Sequence, residues 1–97
     1  MKRGEVWRVQ TVAMQRLVLI VQSDALAAIS PGFLAAPLYE QAPPTRTLIA
    51  PPVQGAYADL SDTGRLLANR FVEHVATASN EEMADVAIGL KAVFDLD

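Results

Sequence analysis

The stretch RLVLIVQSD at residues 16–24 decides the fold class of this sequence. Its centre, residues 17–21, is a continuous run of aliphatic and β-branched side chains that is too short for a typical helix. Such a run is typical of a strand that is buried on both faces. Gln22, Ser23 and Asp24 follow it, with side chains that hydrogen-bond the local backbone and favour turns. The segment predicts an interior β-strand that ends in a turn.

Further strands are predicted on both sides of this run. Residues 5–10 mix valine and tryptophan with charged side chains, which indicates a strand, and residues 11–15 form a short connector. A turn at residues 30–32 precedes a third strand over residues 33–39. Pro37 cannot donate a hydrogen bond to a neighbouring strand, so we expect an edge or a bulge at that point.

The middle of the chain is less regular. Residues 25–29 favour a helical turn, residues 45–50 lie between two proline pairs and favour a short strand, and residues 54–63 have a loop composition. Residues 65–76 are ambiguous, because the first half suits a helix while residues 70–75 alternate like a strand. We predict a strand for that second half.

A helix is predicted at the end of the chain. Ser79 and Glu82 form a capping-box signature, and apolar residues then recur at helical spacing, at Met83, Val86, Ala87, Leu90 and Val93. Gly89 either weakens this helix by about 1 kcal/mol relative to alanine or marks close packing. The chain is therefore expected to be mainly β with a C-terminal helix, a small barrel or half-barrel that forms one domain over residues 1–97.

The composition limits the possible chemistry. The chain has 97 residues, of which 52% are hydrophobic, which suits one folded domain. It contains no cysteine and a single histidine, so disulfides and thiolate or histidine metal clusters are excluded, and we expect no metal and no cofactor. His74 is either an ordinary, partly buried side chain or a catalytic or binding residue.

The ends and the charge of the chain bear on its location and partners. Lys2 and Arg3 lead into charged residues rather than a long apolar run, so we expect a cytoplasmic protein without a membrane segment. The net charge of −3 argues against general nucleic-acid binding. Four of the eight basic residues nevertheless fall within the first sixteen positions, at Lys2, Arg3, Arg8 and Arg16. They form either a local RNA-binding patch or a solvated sheet edge.

Four segments resemble one group of proteins. The sequence KRGEVW at residues 2–7 resembles the first strand of MazF/PemK toxins, and residues 16–24 resemble the second strand of those toxins and of CcdB toxins. Residues 34–38 resemble the V-V-V-P-L strand of both groups, and residues 82–90 resemble the helix that ends MazF proteins. These segments cover 29 of the 97 residues, in the same order as in the family.

The resemblance implies a fold, an activity and a reaction centre. The fold would be the SH3-like barrel of a type II toxin–antitoxin toxin, and the activity metal-independent cleavage of single-stranded RNA that leaves a cyclic phosphate. The family's reaction centre combines an arginine before the second strand, here Arg16, with a threonine or serine after the P-L pair. Tyr39 occupies that second position, so it keeps an oxygen but holds it farther from the backbone. Residues 11–15 also replace a longer loop of MazF proteins.

Two alternatives remain at this point. The chain could inhibit DNA gyrase as CcdB toxins do, although its end carries Asp95 and Asp97 where those toxins have an apolar tip. It could also be a non-catalytic binding protein with the toxin fold. In each case the resemblance implies a cognate antitoxin and a symmetric homodimer. Six apolar residues exceed what a small barrel is expected to bury, or else fill its core: Phe33, Leu34, Leu38, Val86, Leu90 and Phe94.

Overall fold

The computed structural model describes residues 1–27, 32–41 and 48–94. Within these ranges the chain forms seven strands, two α-helices and two 3₁₀ turns, in the following order. They are β1 Glu5–Gln10, β2 Gln15–Ile20, α1 Asp24–Ala27, β3 Gly32–Tyr39, β4 Pro52–Val53, β5 Ala56–Ala58, the turn Leu60–Asp62, β6 Gly64–Leu67, the turn Ala68–Arg70, β7 Phe71–Thr77 and α2 Asn80–Phe94. The fold is mainly β with a C-terminal helix, as predicted.

The strands form one antiparallel sheet in the order β4-β5-β3-β2-β1-β7. Strand β3 changes partner along its length, because its first half pairs with β6 and its end pairs with β5. The register places Val9 of β1 opposite Arg16 of β2, and Val18 of β2 opposite Pro37 of β3. This change of partner bends the sheet into a half-barrel.

Strand β2 supplies both faces of the sheet with buried side chains. Leu19 belongs to the larger core cluster, on the face that α2 covers through the buried Val86. Val18 points to the other face, since side chains alternate along a strand. There it packs with Val9 and Ala35 in a second, smaller cluster. The prediction of a strand buried on both faces is confirmed.

Helix α2 begins at the predicted capping box. The Glu82 backbone N–H donates to Ser79 Oγ at 3.1 Å, and the Ser79 N–H donates to Glu82 Oε1 at 2.9 Å. Gly89 is buried, and a Cβ on it would lie 2.5 Å from Leu60 Cδ1 and 2.7 Å from the Leu48 carbonyl oxygen. This glycine therefore marks close packing. No helix in the described ranges is long and apolar enough to cross a membrane.

Three predictions for the middle of the chain need correction. Residues 48–50 form a turn rather than a strand, and residues 45–47 of that predicted strand lie outside the described residues. The predicted loop over residues 54–63 contains β5 and a 3₁₀ turn, and the segment that suited a helix is β6. Because β5 and β6 both pair with the distant β3, local composition does not reveal them. The strand predicted for residues 70–75 is confirmed as β7.

Pro37 lies in an interior strand and not at the edge of the sheet. The Val21 N–H donates to the Leu34 carbonyl, so these two residues form a hydrogen-bonded pair. Along two antiparallel strands, hydrogen-bonded and non-hydrogen-bonded residue pairs alternate. Val18 and Pro37, three positions along, therefore form a non-hydrogen-bonded pair. The backbone of Pro37 therefore faces away from β2, where its carbonyl accepts from the Asp59 N–H at 2.9 Å. The backbone N–H that Pro37 lacks would lie between β6 and β5, the two strands that pair with β3 on that side.

Six apolar residues were predicted either to exceed what the core of one barrel can bury or to fill that core. Five of them are packed in the core. Phe33 and Val86 are buried, while Leu34, Leu38 and Leu90 pack against the larger cluster. Phe94 is 58% exposed at the end of α2. These six residues are therefore no argument for a dimer, because one chain packs five of them in its core.

Candidate functional site

Arg16 and Tyr39, the two predicted reaction-centre residues, are brought together by the pairing of β2 with β3. Arg16 lies on the sheet face opposite α2, in register with Val9. Its NH2 group donates to the Tyr39 hydroxyl at 3.3 Å, and its guanidinium carbon lies 5.6 Å from the centre of the tyrosine ring. The two side chains thus form a hydrogen-bonded cation–π pair, although they are 23 positions apart.

The direction of this hydrogen bond leaves a proton available. A guanidinium can only donate, so the Tyr39 oxygen accepts; no described residue accepts from its own O–H, which can donate to a ligand. Tyr39 ends β3 and is 38% exposed, so its hydroxyl is open to solvent. The length of the tyrosine side chain, which distinguishes it from threonine, is what allows it to reach Arg16.

Arg16 is partly desolvated. Its Nε atom is buried and has no hydrogen-bond partner among the described residues. Leaving such a donor unpaired costs about 1–3 kcal/mol, and buried polar groups are normally paired. The same desolvation strengthens the attraction of this cation for an anion, because the effective dielectric constant around it is lower than in water.

A cavity opens on each side of Arg16. The cavity on one side, which we call the Tyr39 cavity, has a volume of about 320 Å³ and is also lined by Glu40 and Leu38. The cavity on the other side, the Asp62 cavity, has a volume of about 180 Å³ and is also lined by Asp62 and Thr11. Arg16 therefore separates two spaces that each hold a carboxylate.

Sequence reasoning missed Glu40 and Asp62 as site residues. Asp62 fell in the predicted loop over residues 54–63, and only the pairing of β6 with β3 carries it to Arg16. Arg65 also lines the Asp62 cavity, but it faces Leu34 in the β3–β6 pair and its Cγ lies 3.1 Å from the Cβ position of Gly32. Its stem therefore leans toward the opposite face of the sheet from Arg16.

Arg8, a predicted RNA-binding residue, lies apart from Arg16. It faces Leu17 across β1 and β2, so its side chain points to the opposite face of the sheet from Arg16. Arg8 forms an ion pair with Glu73 of β7. This carboxylate offsets its charge, so Arg8 and Arg16 do not form a common basic patch.

Lys2 and Arg3 are exposed at the far end of the same hairpin. The Gly4 N–H donates to the Ile20 carbonyl, four positions from Arg16, which is about 13 Å along a strand. Glu5 lies near these two residues. Burial raises the pKa of Glu5, but the hydrogen bonds that Trp7 and the backbone of Lys2 donate to its carboxylate outweigh burial and lower the pKa below its ordinary value. The N-terminal basic residues are thus ordered, but the structure does not bring them to Arg16.

His74 is exposed, not partly buried as its strand context suggested. Its ring stacks on Trp7 with the ring centres 5.4 Å apart, and its Nε2 donates to the Ala76 carbonyl at 2.8 Å. These contacts give it a surface packing role beside β1. Among the described residues no group of three or more histidine, aspartate or glutamate side chains is placed to hold a metal ion.

Comparisons with known proteins agree with this fold. Residues 2–94 match the family described as PemK-like, MazF-like toxin of type II toxin-antitoxin system. No curated protein matches the sequence significantly. The fold is similar to that of an endoribonuclease solved in complex with its cognate antitoxin from a mycobacterial species, with a TM-score of 0.88 and 17% identity over 100% of this chain and 97% of the other.

Two further solved structures share the fold. The MazE–MazF complex of Deinococcus radiodurans has a TM-score of 0.82 and 16% identity over 100% of this chain and 97% of that one. The Mycobacterium tuberculosis toxin MazF-mt6 has a TM-score of 0.78 and 15% identity over 96% and 98% of the two chains. These matches do not favour the CcdB alternative. Since the family match spans nearly the whole sequence, the chain belongs to the PemK-like, MazF-like toxin family of type II toxin–antitoxin systems.

Proposed function

We propose that this toxin is an endoribonuclease that cleaves single-stranded RNA without a metal ion, with Arg16 and Tyr39 at its reaction centre. The observation that carries the proposal is the hydrogen-bonded pair of a partly desolvated guanidinium and a solvent-open phenol beside the Tyr39 cavity. Such a pair presents positive charge and a proton donor to one phosphate group. The solved endoribonucleases that share this fold support the same conclusion.

The reaction requires an in-line attack of the 2′-hydroxyl on the neighbouring phosphorus. The bond from the 2′ oxygen to phosphorus forms while the bond to the 5′ oxygen breaks, which leaves a 2′,3′-cyclic phosphate and a 5′-hydroxyl. Arg16 would neutralise the charge that develops on the non-bridging oxygens, and Tyr39 would donate to one of those oxygens or to the leaving oxygen. The proton that Tyr39 releases in the second case returns to it from solvent.

Glu40 is suited to accept the proton of the 2′-hydroxyl. It is exposed and lines the Tyr39 cavity together with Arg16 and Tyr39. A carboxylate in this place can act as a general base, and Glu40 is the only carboxylate among the described residues that line the Tyr39 cavity. We therefore assign Glu40 as the base, and we expect Glu40→Gln to slow cleavage about a hundredfold.

Purified protein tests the reaction centre directly. The protein is incubated with single-stranded RNA in EDTA, and the products are resolved and examined for cyclic phosphate ends. We expect Arg16→Ala to slow cleavage about 10²–10³-fold, because it removes the preorganised charge, and Tyr39→Phe to slow it about a hundredfold. Lys91→Ala is the matched control, since Lys91 is an exposed cation on α2 and lines neither cavity.

The same assay separates the remaining alternatives. Intact RNA in the presence of folded wild-type protein would overturn the ribonuclease proposal and favour a non-catalytic toxin. Cleavage that disappears with EDTA would overturn the metal-independent mechanism. Equal activity of Arg16→Ala and wild type would place the reaction centre elsewhere in the molecule.

Lys2 and Arg3 are proposed to contact phosphates that flank the cleaved bond. Each such contact to a single strand adds about 0.7 to the slope of log affinity against log salt concentration. We expect Lys2→Ala and Arg3→Ala to lower that slope by this amount when binding is measured with an uncleavable oligonucleotide. Arg8→Ala should lower it less, because Glu73 already offsets the charge of Arg8.

The partners follow from the proposed role in the cytoplasm. We propose a cognate antitoxin, since two of the solved structures with this fold are toxin–antitoxin complexes, and a homodimer as the functional unit. A small protein encoded beside this chain should co-purify with it and abolish RNA cleavage. Failure of every neighbouring product to bind the purified chain would contradict the antitoxin assignment.

A further inference from the structure

We infer that the Asp62 cavity is a recognition subsite for a guanine base next to the cleaved phosphate. The inference rests on the proposed ribonuclease function, because it gives the RNA substrate a preferred base. Its starting point is that Arg16 lines both cavities. A phosphate bound on the Tyr39 side therefore leaves the Asp62 side open to an adjoining nucleotide.

The size and lining of the cavity suit one nucleobase. Its volume of about 180 Å³ lies below the range of about 300–1,000 Å³ that is typical of pockets for drug-sized ligands. Val18, Ala35 and Pro37 provide an apolar wall for the flat face of a base. Enzymes that take up an unstacked base hold it in this way, with apolar contacts to its face and hydrogen bonds to its edge.

The backbone of Asp62 is held in place by a hydrogen-bonded turn. Asp62 ends a 3₁₀ turn that begins at the fully buried Leu60, and its N–H donates to the Asp59 carbonyl at 3.2 Å. The Asp59 side chain caps the same turn by accepting from the Ser61 N–H at 3.1 Å. After the turn, the Thr63 hydroxyl donates to the Leu60 carbonyl at 2.9 Å. The backbone position of Asp62 at the edge of the cavity is therefore set before any ligand binds.

The charges at the rim select guanine. The two oxygens of the Asp62 carboxylate are acceptors, and the Arg16 guanidinium offers donors. Guanine alone among the four RNA bases presents two adjacent donors, N1–H and the 2-amino group, beside an acceptor, O6. Adenine and cytosine place a ring acceptor beside their single amino group, and uracil has acceptors on both sides of its N3–H. None of those three can therefore donate to both oxygens of the Asp62 carboxylate at once, as guanine can.

Cleavage of a random RNA library by the wild-type protein and by Asp62→Asn tests the subsite. We expect guanine at a fixed position next to the cut sites of wild type. The asparagine amide in this variant offers one acceptor and one donor in place of two acceptors, so we expect the guanine preference to fall about tenfold to hundredfold while cleavage of other sequences persists. Asp85→Asn is the matched control, because it removes the same charge from an exposed position on α2.

A second measurement changes the substrate and compares its cleavage by wild type and by Asp62→Asn. Inosine lacks the 2-amino group of guanine, so we expect the wild-type protein to cut an inosine-substituted substrate about tenfold more slowly than the guanine substrate. Asp62→Asn should cut the two substrates at rates that differ much less. This comparison links the 2-amino group to Asp62 itself.

The outcomes distinguish this inference from the function on which it rests. If wild type cuts no RNA, the ribonuclease proposal fails. If wild type cuts RNA without a guanine preference, or cuts inosine and guanine substrates equally, only the guanine subsite fails. A uniform loss of cleavage in Asp62→Asn over all sequences would also overturn it, because Asp62 would then act in the reaction or in folding.

Discussion

Tyr39 stands at the position where the family resemblance predicts a threonine or serine. Its phenol oxygen lies 3.3 Å from the Arg16 NH2 group, a distance that depends on the length of the ring. We expect Tyr39→Thr, which introduces the more usual residue, to lose as much activity as Tyr39→Phe, because a threonine oxygen cannot reach the same place. RNA cleavage rates of the two variants check this, and an active Tyr39→Thr would contradict the assigned geometry.

Gly89 is the residue at which α2 comes closest to the rest of the chain. A Cβ at this position meets the Leu48 carbonyl oxygen at 2.7 Å, and backbone cannot move away cheaply. Overpacking costs about 1–3 kcal/mol and outweighs the gain of about 1 kcal/mol that alanine gives a helix over glycine. We expect Gly89→Ala to lower the free energy of unfolding, measured by urea titration with the fluorescence of Trp7, the single tryptophan.

Gly64→Ala serves as the control for that substitution. An added Cβ at Gly64 meets nothing within 4 Å, so we expect a change in the free energy of unfolding within about 0.5 kcal/mol. If Gly89→Ala stabilises the protein as an ordinary helical alanine would, the close packing of α2 on Leu60 and Leu48 is wrong.

At the scale of elements, the start of α2 is tied to the β4–β5 turn through Glu82. Its carboxylate accepts from the Ser79 N–H at 2.9 Å and from the Gln54 N–H at 2.8 Å. Burial raises the pKa of Glu82, but these hydrogen bonds outweigh it and lower the pKa below its ordinary value. The ionised form therefore stabilises the folded state above the ordinary glutamate pKa of about 4.3, and this contribution is lost as the pH falls through the lowered value.

Two substitutions distinguish the contribution of the Glu82 charge to stability from that of the Ser79 N-cap. Glu82→Gln keeps a side chain that can complete the capping box but removes the titration. We expect its free energy of unfolding to depend less on pH than that of wild type between about pH 5 and pH 3. Ser79→Ala should instead lose about 1 kcal/mol at every pH, because it removes the N-cap acceptor. Equal pH dependence of wild type and Glu82→Gln would disprove the role of the Glu82 charge.

At the scale of the whole molecule, the proposed dimer and antitoxin complex make a joint prediction. We expect light scattering after gel filtration to give twice the mass of one chain, and the melting temperature to rise with protein concentration. Addition of the antitoxin should raise it further, since a ligand that binds only the folded state stabilises it. A monomer mass at all concentrations would contradict the homodimer.

The sequence alone determined the features that local patterns encode. The strand at residues 5–10, the doubly buried run at residues 17–21 and the capping box at Ser79 and Glu82 all appear where they were predicted. The family resemblance also singled out Arg16 and Tyr39 together, and the structure places the two side chains in contact, while their role in a reaction stays a prediction. Periodicity and capping act over a few neighbouring residues, so they can be recognised without knowledge of the fold.

Only the tertiary structure decided which residues surround Arg16. A shift of one position in the β1–β2 register would place Arg8 and Arg16 on the same face of the sheet, and the sequence does not specify that register. Likewise Asp62 reaches Arg16 only because β6 pairs with β3, and Pro37 is tolerated only because β3 changes partner there. These features depend on hydrogen bonds between segments far apart in the chain, which no local pattern reveals.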